Sequence, residues 1–201
     1  MKKYCLHFIV IILLLSCAQE KLPLLGDTAY QKEQNAKFKD AKTSPLTEQD
    51  RKTFRALDFF KFDSTYVVSA NFKKFHNPTP FQMATTTDRK PLYVTYGELS
   101  FKLNNIDCKL NIYQNVELAK SEGNDDELFL PFIDQTNGEE SYGGGRYLNV
   151  RAPEGNTVIL NFNEAYNPYC AYSPKYSCPV VPLINSLAVR VEAGVKTYKK
   201  Y

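Results

Sequence analysis

The stretch LSFKLNNIDCKLNI, residues 99–112, decides the fold. On each side of Asn104-Asn105, apolar residues alternate with polar ones, which is the period of a β-strand with one buried face. Because asparagine tolerates positive φ, the two asparagines suit the two-residue turn of a hairpin. In that register Phe101 faces Cys108. We therefore predict that Cys108 is a small, buried, apolar side chain.

Strand patterns continue on both sides of this hairpin. Aromatic and β-branched residues recur with period 2 in short segments, which turn residues separate. The predicted strands are residues 66–72, 81–85, 92–96, 128–133, 146–151, 157–162 and 187–192. No helical pattern intervenes, which favours an antiparallel sandwich or a barrel-like sheet over a parallel α/β sheet. We predict a mainly β fold, α+β by content, with an N-terminal helix packed on the sheet.

The helix signal precedes the first strand. Ser44 or Thr47 can cap the helix, and Pro45 suits its first turn. The apolar residues that recur at near-helical spacing are Leu46, Phe54 and Leu57. Residues 30–41 form a charged, weakly periodic segment that can also be helical, and no site is evident in it.

The first sixteen residues have the pattern of an export signal. Lys2 and Lys3 precede an apolar run at residues 6–15, and Leu14-Leu15-Ser16-Cys17 has the form of a lipobox. The run is about half the roughly 20 residues that a membrane-spanning helix needs. The prediction is therefore a lipid anchor on Cys17, and the alternative is a plain secretory peptide with Cys17 unmodified.

This signal sets the predicted organisation and location. Residues 1–16 are the signal peptide, residues 17–37 a lipidated, part-helical tether, and residues 38–201 a single globular domain. Ala18 rather than aspartate follows the lipidated cysteine, which resembles outer-membrane retention in Gram-negative lipoproteins. The predicted location is the cell envelope, with the membrane as a partner through the lipid anchor at the outer membrane.

Composition and charge exclude several classes of protein. The chain is 43% hydrophobic and 23% charged, unlike disordered, collagen-like or polytopic membrane proteins. After signal removal 23 basic and 22 acidic side chains remain. This near-neutral balance gives no electrostatic attraction to phosphate backbones, so no nucleic-acid partner is predicted.

Cys170 and Cys178 belong to an irregular, proline-containing loop. Export places both in a disulfide-permissive compartment, and local chain reversals can bring them within bridging distance, so we predict a disulfide. A zinc pair, a nucleophilic thiol and two structural thiols are the alternatives. Only His76 survives maturation, so a Cys2His2 zinc site is impossible. No metal or cofactor is predicted.

Two segments carry the candidate site. In the first, Gly143-Gly144-Gly145 precedes Arg146 without the spacing of a phosphate loop, which favours a tight bend that re-aims the arginine. The second is the amide- and phenol-rich loop at residues 161–178, and long polar loops often bind ligands. A guanidinium group can hold a carboxylate or a phosphate through two hydrogen bonds.

These features support a binding hypothesis, in which one pocket takes up a small polar or anionic ligand. The predicted lining residues are Tyr142, Arg146, Asn163, Tyr166 and Asn167. The structural alternative is that the tyrosines only seal the loop onto the sheet. Arg146 would then be solvated, or would pair with Asp134 or Glu164.

The enzyme alternative is a hydrolase. Asp134, Glu139 or Glu164 would act as a general base beside an electrophilic Arg146. No catalytic histidine, metal cluster or nucleophile elbow accompanies these residues, so binding or a structural role is favoured, and no catalytic residue is assigned.

Three blocks of the sequence resemble the domain-of-unknown-function family 1684. They are TNGEESYGGGRY at 136–147, NFNEAYNPYCAYSP at 161–174, and Cys178-Pro179. The resemblance covers roughly residues 38–198. It implies a single uncharacterised domain, common in bacteria and often on lipoproteins, with no established activity.

The chain departs from the family pattern in three places. Asn161 stands where an aspartate is usual, and Tyr169 where a second proline is usual. Longer members carry a tryptophan-containing N-terminal region, which this tryptophan-free chain lacks. If that region helps to close a pocket, the site of this member is more open.

Overall fold

A curled antiparallel sheet forms the body of the protein. The structure, a computed structural model, describes residues 26–199, so the predicted signal peptide and residues 17–25 of the tether, with Cys17, lie outside the described residues. The strands are β1 Val67–Lys74, β2 Phe81–Gln82, β3 Leu92–Leu103, β4 Ile106–Asn115, β5 Glu127–Phe132, β6 Arg146–Arg151 and β7 Thr157–Asn161. Their order is β6-β5-β4-β3-β1-β7, with β2 paired to β3. The sheet is a half-barrel, which confirms the predicted fold class.

The hairpin of β3 and β4 has the predicted register. Asn104 and Asn105 have φ angles of 50° and 63°, as a primed two-residue turn requires. Phe101 pairs with Cys108 and Leu99 with Leu110, and all four side chains are buried. Their alternation with exposed residues confirms that one face of the hairpin packs on the core.

One predicted strand is wrong. Residues 187–192 form no strand: Ala188 and Val189 lie in a bend, and side chains supply part of the hydrogen bonding of this segment. The Val191 N–H donates to Asp134 Oδ1 at 3.1 Å, and the Val191 carbonyl accepts from Arg146 Nη2 at 2.7 Å. The remaining predicted strands all overlap observed ones, and residues 92–96 are the first half of β3.

In the described residues before the sheet, the α-helices are α1 Ala29–Lys39 and α2 Glu48–Thr53. Thr47 caps α2 as predicted, since its Oγ1 accepts from the Asp50 N–H at 3.1 Å. The helix is shorter than the apolar spacing predicts. Asn35 Oδ1 accepts from the Leu57 N–H at 2.7 Å, so α1 holds the segment after α2 in an extended conformation.

In the described part of the chain, the interior contains a main core inside the curled sheet, a smaller cluster beneath α1, and a third cluster of Met83, Tyr93 and Tyr113. The smaller cluster joins α1, the segment around α2, the cysteine loop and the C-terminal segment. Its buried members are Phe38, Leu46, Phe54, Leu57, Tyr172 and Val195. This cluster packs α1 against the loop that carries Tyr172 and against the C-terminal segment. Within residues 26–199, no helix has the length and apolar character to cross a membrane.

Candidate functional site

Arg146 lies in the interior of the protein, with no exposed surface. Gly145, which precedes it, has φ of +87°, and a Cβ atom there would lie 2.7 Å from the Phe132 carbonyl oxygen. Only glycine fits this bend without strain. The bend starts β6 directly at Arg146 and turns its side chain inward.

The Arg146 guanidinium joins two segments of the chain. Its Nη2 contacts Asp134 Oδ2 at 2.8 Å, and both side chains are fully buried. Further hydrogen bonds run from the guanidinium to the carbonyls of Val191, Ala193 and Val195. Burial lowers the pKa of Arg146, and the adjacent Asp134 carboxylate opposes that effect. Through these hydrogen bonds, Arg146 links residues 191–195 to Asp134.

The carboxylates of the enzyme alternative do not share a site. Asp134 is sealed with Arg146, so a substrate cannot reach the pair. Glu139 contacts Arg190 at the surface, 2.9 Å from Oε2 to Nη1. Glu164 is exposed and lines a separate cleft. The arrangement of a carboxylate beside an accessible Arg146 is therefore not formed.

The separate cleft lies between α1, the β6 edge and the loop that follows β7, and its volume is about 450 Å³. This is within the range of small-molecule sites. Ten of the 22 described residues that line it are aromatic: Tyr30, Phe38, Phe59, Tyr93, Phe129, Tyr147, Tyr166, Tyr169, Tyr172 and Tyr176. An aromatic surface of this kind suits a ligand with a flat, apolar or cationic group.

Backbone and hydroxyl hydrogen bonds hold the loop at residues 161–178 against the edge strand β6. Tyr166 and Tyr147 exchange two backbone hydrogen bonds, 2.9 and 3.0 Å long, and their rings stand at 90°. The Tyr166 hydroxyl donates to Asn149 Oδ1 at 2.7 Å, and the Tyr147 hydroxyl donates to the Pro179 carbonyl. The tyrosines therefore build the walls of the cleft.

Burial keeps these phenols neutral. It raises the pKa values of four lining residues: Tyr30, Tyr147, Tyr166 and Tyr172. Because their ordinary pKa is already near 10, they remain protonated at physiological pH. The cleft thus presents neutral hydroxyl groups and ring faces to a ligand.

Asn167 has a buried acceptor atom in the wall of the cleft. The residue is 1% exposed, and its Nδ2 donates to the Lys196 carbonyl at 2.9 Å. A side-chain hydrogen bond with Asn167 lowers the pKa of Tyr172 against the rise that burial causes, and within residues 26–199 no donor meets hydrogen-bond geometry with Asn167 Oδ1. A buried acceptor without a partner costs about 1–3 kcal/mol, so a ligand donor would stabilise this site.

The predicted binding residues separate into two sets. Tyr166 and Asn167 line the cleft, whereas Tyr142, Arg146 and Asn163 are not among its described lining residues. Asn163 holds the backbone of Asp63, accepting from its N–H at 3.0 Å and donating to its carbonyl at 2.9 Å. Tyr142 lies beside Cys170, and burial raises its pKa.

Cys170 and Cys178 are neighbours, and both are thiols in the structure. The Cys170 N–H donates to Cys178 Sγ at 3.1 Å, and Cys178 lines the cleft. Burial raises the pKa of Cys178 to about 12, so its thiol is a poor nucleophile at neutral pH. In the described part of the chain, no group of three or more His, Cys, Asp and Glu side chains is placed to hold a metal ion.

The lining residues of α1 are absent from the predicted site. They are Tyr30, Gln34, Lys37 and Phe38. Their spacing of four, seven and eight residues places them on one helix face, which is the signal that was available in the sequence. Because the segment is mostly charged and polar, this helix face was not predicted as part of a site.

Comparison with known proteins identifies similar chains without assigning an activity. The family DUF1684, described as "Protein of unknown function", matches residues 52–196. A solution NMR structure of an uncharacterized protein from Haloarcula marismortui has 33% sequence identity and a TM-score of 0.65. The match covers 84% of this chain and 91% of that chain. No curated protein matches.

Proposed function

Because this chain belongs to the DUF1684 family, a family described only as of unknown function, we propose a function from its cleft: the domain binds a small polar ligand. The observation that carries the proposal is the aromatic cleft of about 450 Å³ in which Asn167 Oδ1 accepts no hydrogen bond from any described residue. Aromatic walls with a few polar groups are typical of sites that bind small molecules. Binding, rather than catalysis, also agrees with the sealed Asp134–Arg146 pair.

The proposal includes the cell envelope as the place of action. The lipobox at Cys17 supports a lipid anchor, with an outer-membrane location, and the export signal supports an oxidised Cys170–Cys178 pair. Cys17→Ala should release the protein from the membrane fraction. Undiminished membrane association, with an unmodified N-terminus by mass spectrometry, would contradict lipidation.

The binding proposal is tested by closing the cleft. Gln34 is half-buried on α1 and lines the cleft, so Gln34→Trp should fill part of its volume. Ala36→Trp places the same ring on the exposed side of the same helix and is the matched control. Protein from the native host, measured by native mass spectrometry, should carry a small molecule as wild type and as Ala36→Trp.

The Gln34→Trp variant should lose at least about tenfold of that occupancy, because the ring excludes the ligand by volume. Urea unfolding of both variants separates exclusion from misfolding. Equal occupancy in the two variants, or a wild type that carries no small molecule in its native host, would contradict ligand binding in this cleft.

A further inference from the structure

We propose that the cleft recognises an organic cation, meaning a small molecule with an alkyl-substituted ammonium group. The inference rests on the proposed function and names the chemical class of its ligand. Three features carry it: the hydrogen-bonding character of the walls, the contacts of cations with the rings, and the charges at the rim.

The tyrosine hydroxyls of the cleft offer acceptors rather than free donors. The hydroxyl of Tyr30 donates to the Glu164 carbonyl at 2.8 Å, and those of Tyr147 and Tyr166 donate to other protein acceptors. Their hydrogen atoms are therefore engaged, while their oxygen lone pairs remain as acceptors. Asn167 Oδ1 adds a buried acceptor. A ligand that complements these groups must donate hydrogen bonds or carry a positive charge.

Two rings of the cleft already contact ammonium groups. Lys37 Nζ lies 5.5 Å from the centroid of the Tyr169 ring, and Lys175 Nζ lies 4.9 Å from that of Tyr176. These distances are within the range of cation–π attraction. Tyr166 and Tyr147, whose rings meet at a right angle, provide adjoining aromatic walls. The same attraction is available to a cationic ligand there.

One charge of each sign lies at the rim of the cleft. Glu164 is the anionic side chain and Lys37 the cationic one among the described lining residues. Burial raises the pKa of Tyr30, and Tyr166, Glu164 and Glu33 raise it further, so Glu164 is close enough to act on a charge at this end of the cleft. The Arg146 guanidinium, which suits an anion, is buried away from solvent.

The experiment compares two probes of one shape. Choline carries a trimethylammonium group, and 3,3-dimethylbutan-1-ol is its neutral isostere. Titration calorimetry or ligand-observed NMR on the wild-type protein should show choline binding about five- to thirtyfold more tightly, because only choline gains cation–π attraction. The anionic probe 3,3-dimethylbutanoate should bind more weakly than either.

Two charge variants make the test specific to the rim. Glu164→Gln should weaken choline binding about two- to fivefold, and Lys37→Gln should strengthen it by a similar factor. Both residues are at least partly exposed, so the variants should fold. Equal affinity for choline and its isostere, or the opposite signs in the two variants, would overturn the inference.

The two proposals fail in different ways. If native protein carries a neutral or anionic molecule that Gln34→Trp excludes, the cleft binds a ligand and the cation inference is wrong. If no molecule is bound and choline shows no affinity, both proposals are wrong.

Discussion

The glycine block at residues 136–147 and the loop at residues 161–178 occupy different parts of the fold. The glycine block ends in a charged residue, Arg146, and that residue is enclosed in the core with Asp134. The loop at residues 161–178 carries mostly neutral groups, and it lines the open cleft. A charged residue in a distinctive motif therefore does not line the cleft that we propose as the binding surface. A buried ion pair needs many hydrogen bonds, and Arg146 obtains them from the C-terminal segment.

The largest expected effect tests the structural side of this comparison. Arg146→Met should lower the free energy of unfolding by about 3–5 kcal/mol or prevent folding, because Asp134 remains as an uncompensated buried charge. Urea denaturation measures the loss. The control is Arg190→Met, which removes an arginine that contacts Glu139, Glu140 and Glu192 at the surface and should have a much smaller effect.

A folded Arg146 variant of near wild-type stability that no longer binds a cleft ligand would reverse the comparison. Arg146 would then belong to the binding site and not to the core.

The intermediate effect concerns the cysteine loop. If the exported protein oxidises Cys170 and Cys178, a reductant should lower the free energy of unfolding by about 2–3 kcal/mol, because the closed loop is short. Alkylation of the unfolded, unreduced mature protein should then label Cys108 alone, as mass spectrometry would show. The Cys170→Ser variant should be insensitive to the reductant. Labelling of all three cysteines would contradict a Cys170–Cys178 disulfide.

The smallest effect tests the burial of the cleft phenols. Burial raises the pKa of Tyr172 above its ordinary value near 10. The buried, protonated Tyr172 phenol therefore makes its full contribution to the free energy of unfolding below pH 10. This contribution is lost as the pH rises through the raised pKa, because the unfolded chain ionises first. Between pH 10 and 11, wild type should lose about 1 kcal/mol more stability than Tyr172→Phe. Urea unfolding at both pH values measures this difference, and parallel losses would show that Tyr172 is not buried.

The candidate site was predictable only in part. Tyr166, Asn167 and Cys178 lie in a polar loop, and all three line the cleft. Arg146 and Asn163 have the same chemistry in the sequence as ligand-binding residues, yet their hydrogen bonds hold other parts of the chain. No local pattern separates these uses, because the partners lie 45 and 100 residues away.

The sequence alone determined the features that depend on neighbouring residues. The alternation around Asn104-Asn105 specified the hairpin, its register and the burial of Cys108, because side-chain direction in a strand repeats every two residues. Thr47 specified the start of α2, since a cap bonds within its own first turn. The family signature was likewise legible as a run of residues.

Only the tertiary structure decided which groups face solvent and which face the interior. The cleft exists because α1 packs against a loop far along the chain, where Tyr30 donates to the carbonyl of Glu164, 134 residues away. Residues 187–192 have the apolar content of a strand, but the buried Asp134 and Arg146 replace part of their strand partners. Long-range packing sets these choices, because the free energy of burying a group depends on the partners that the whole fold brings to it.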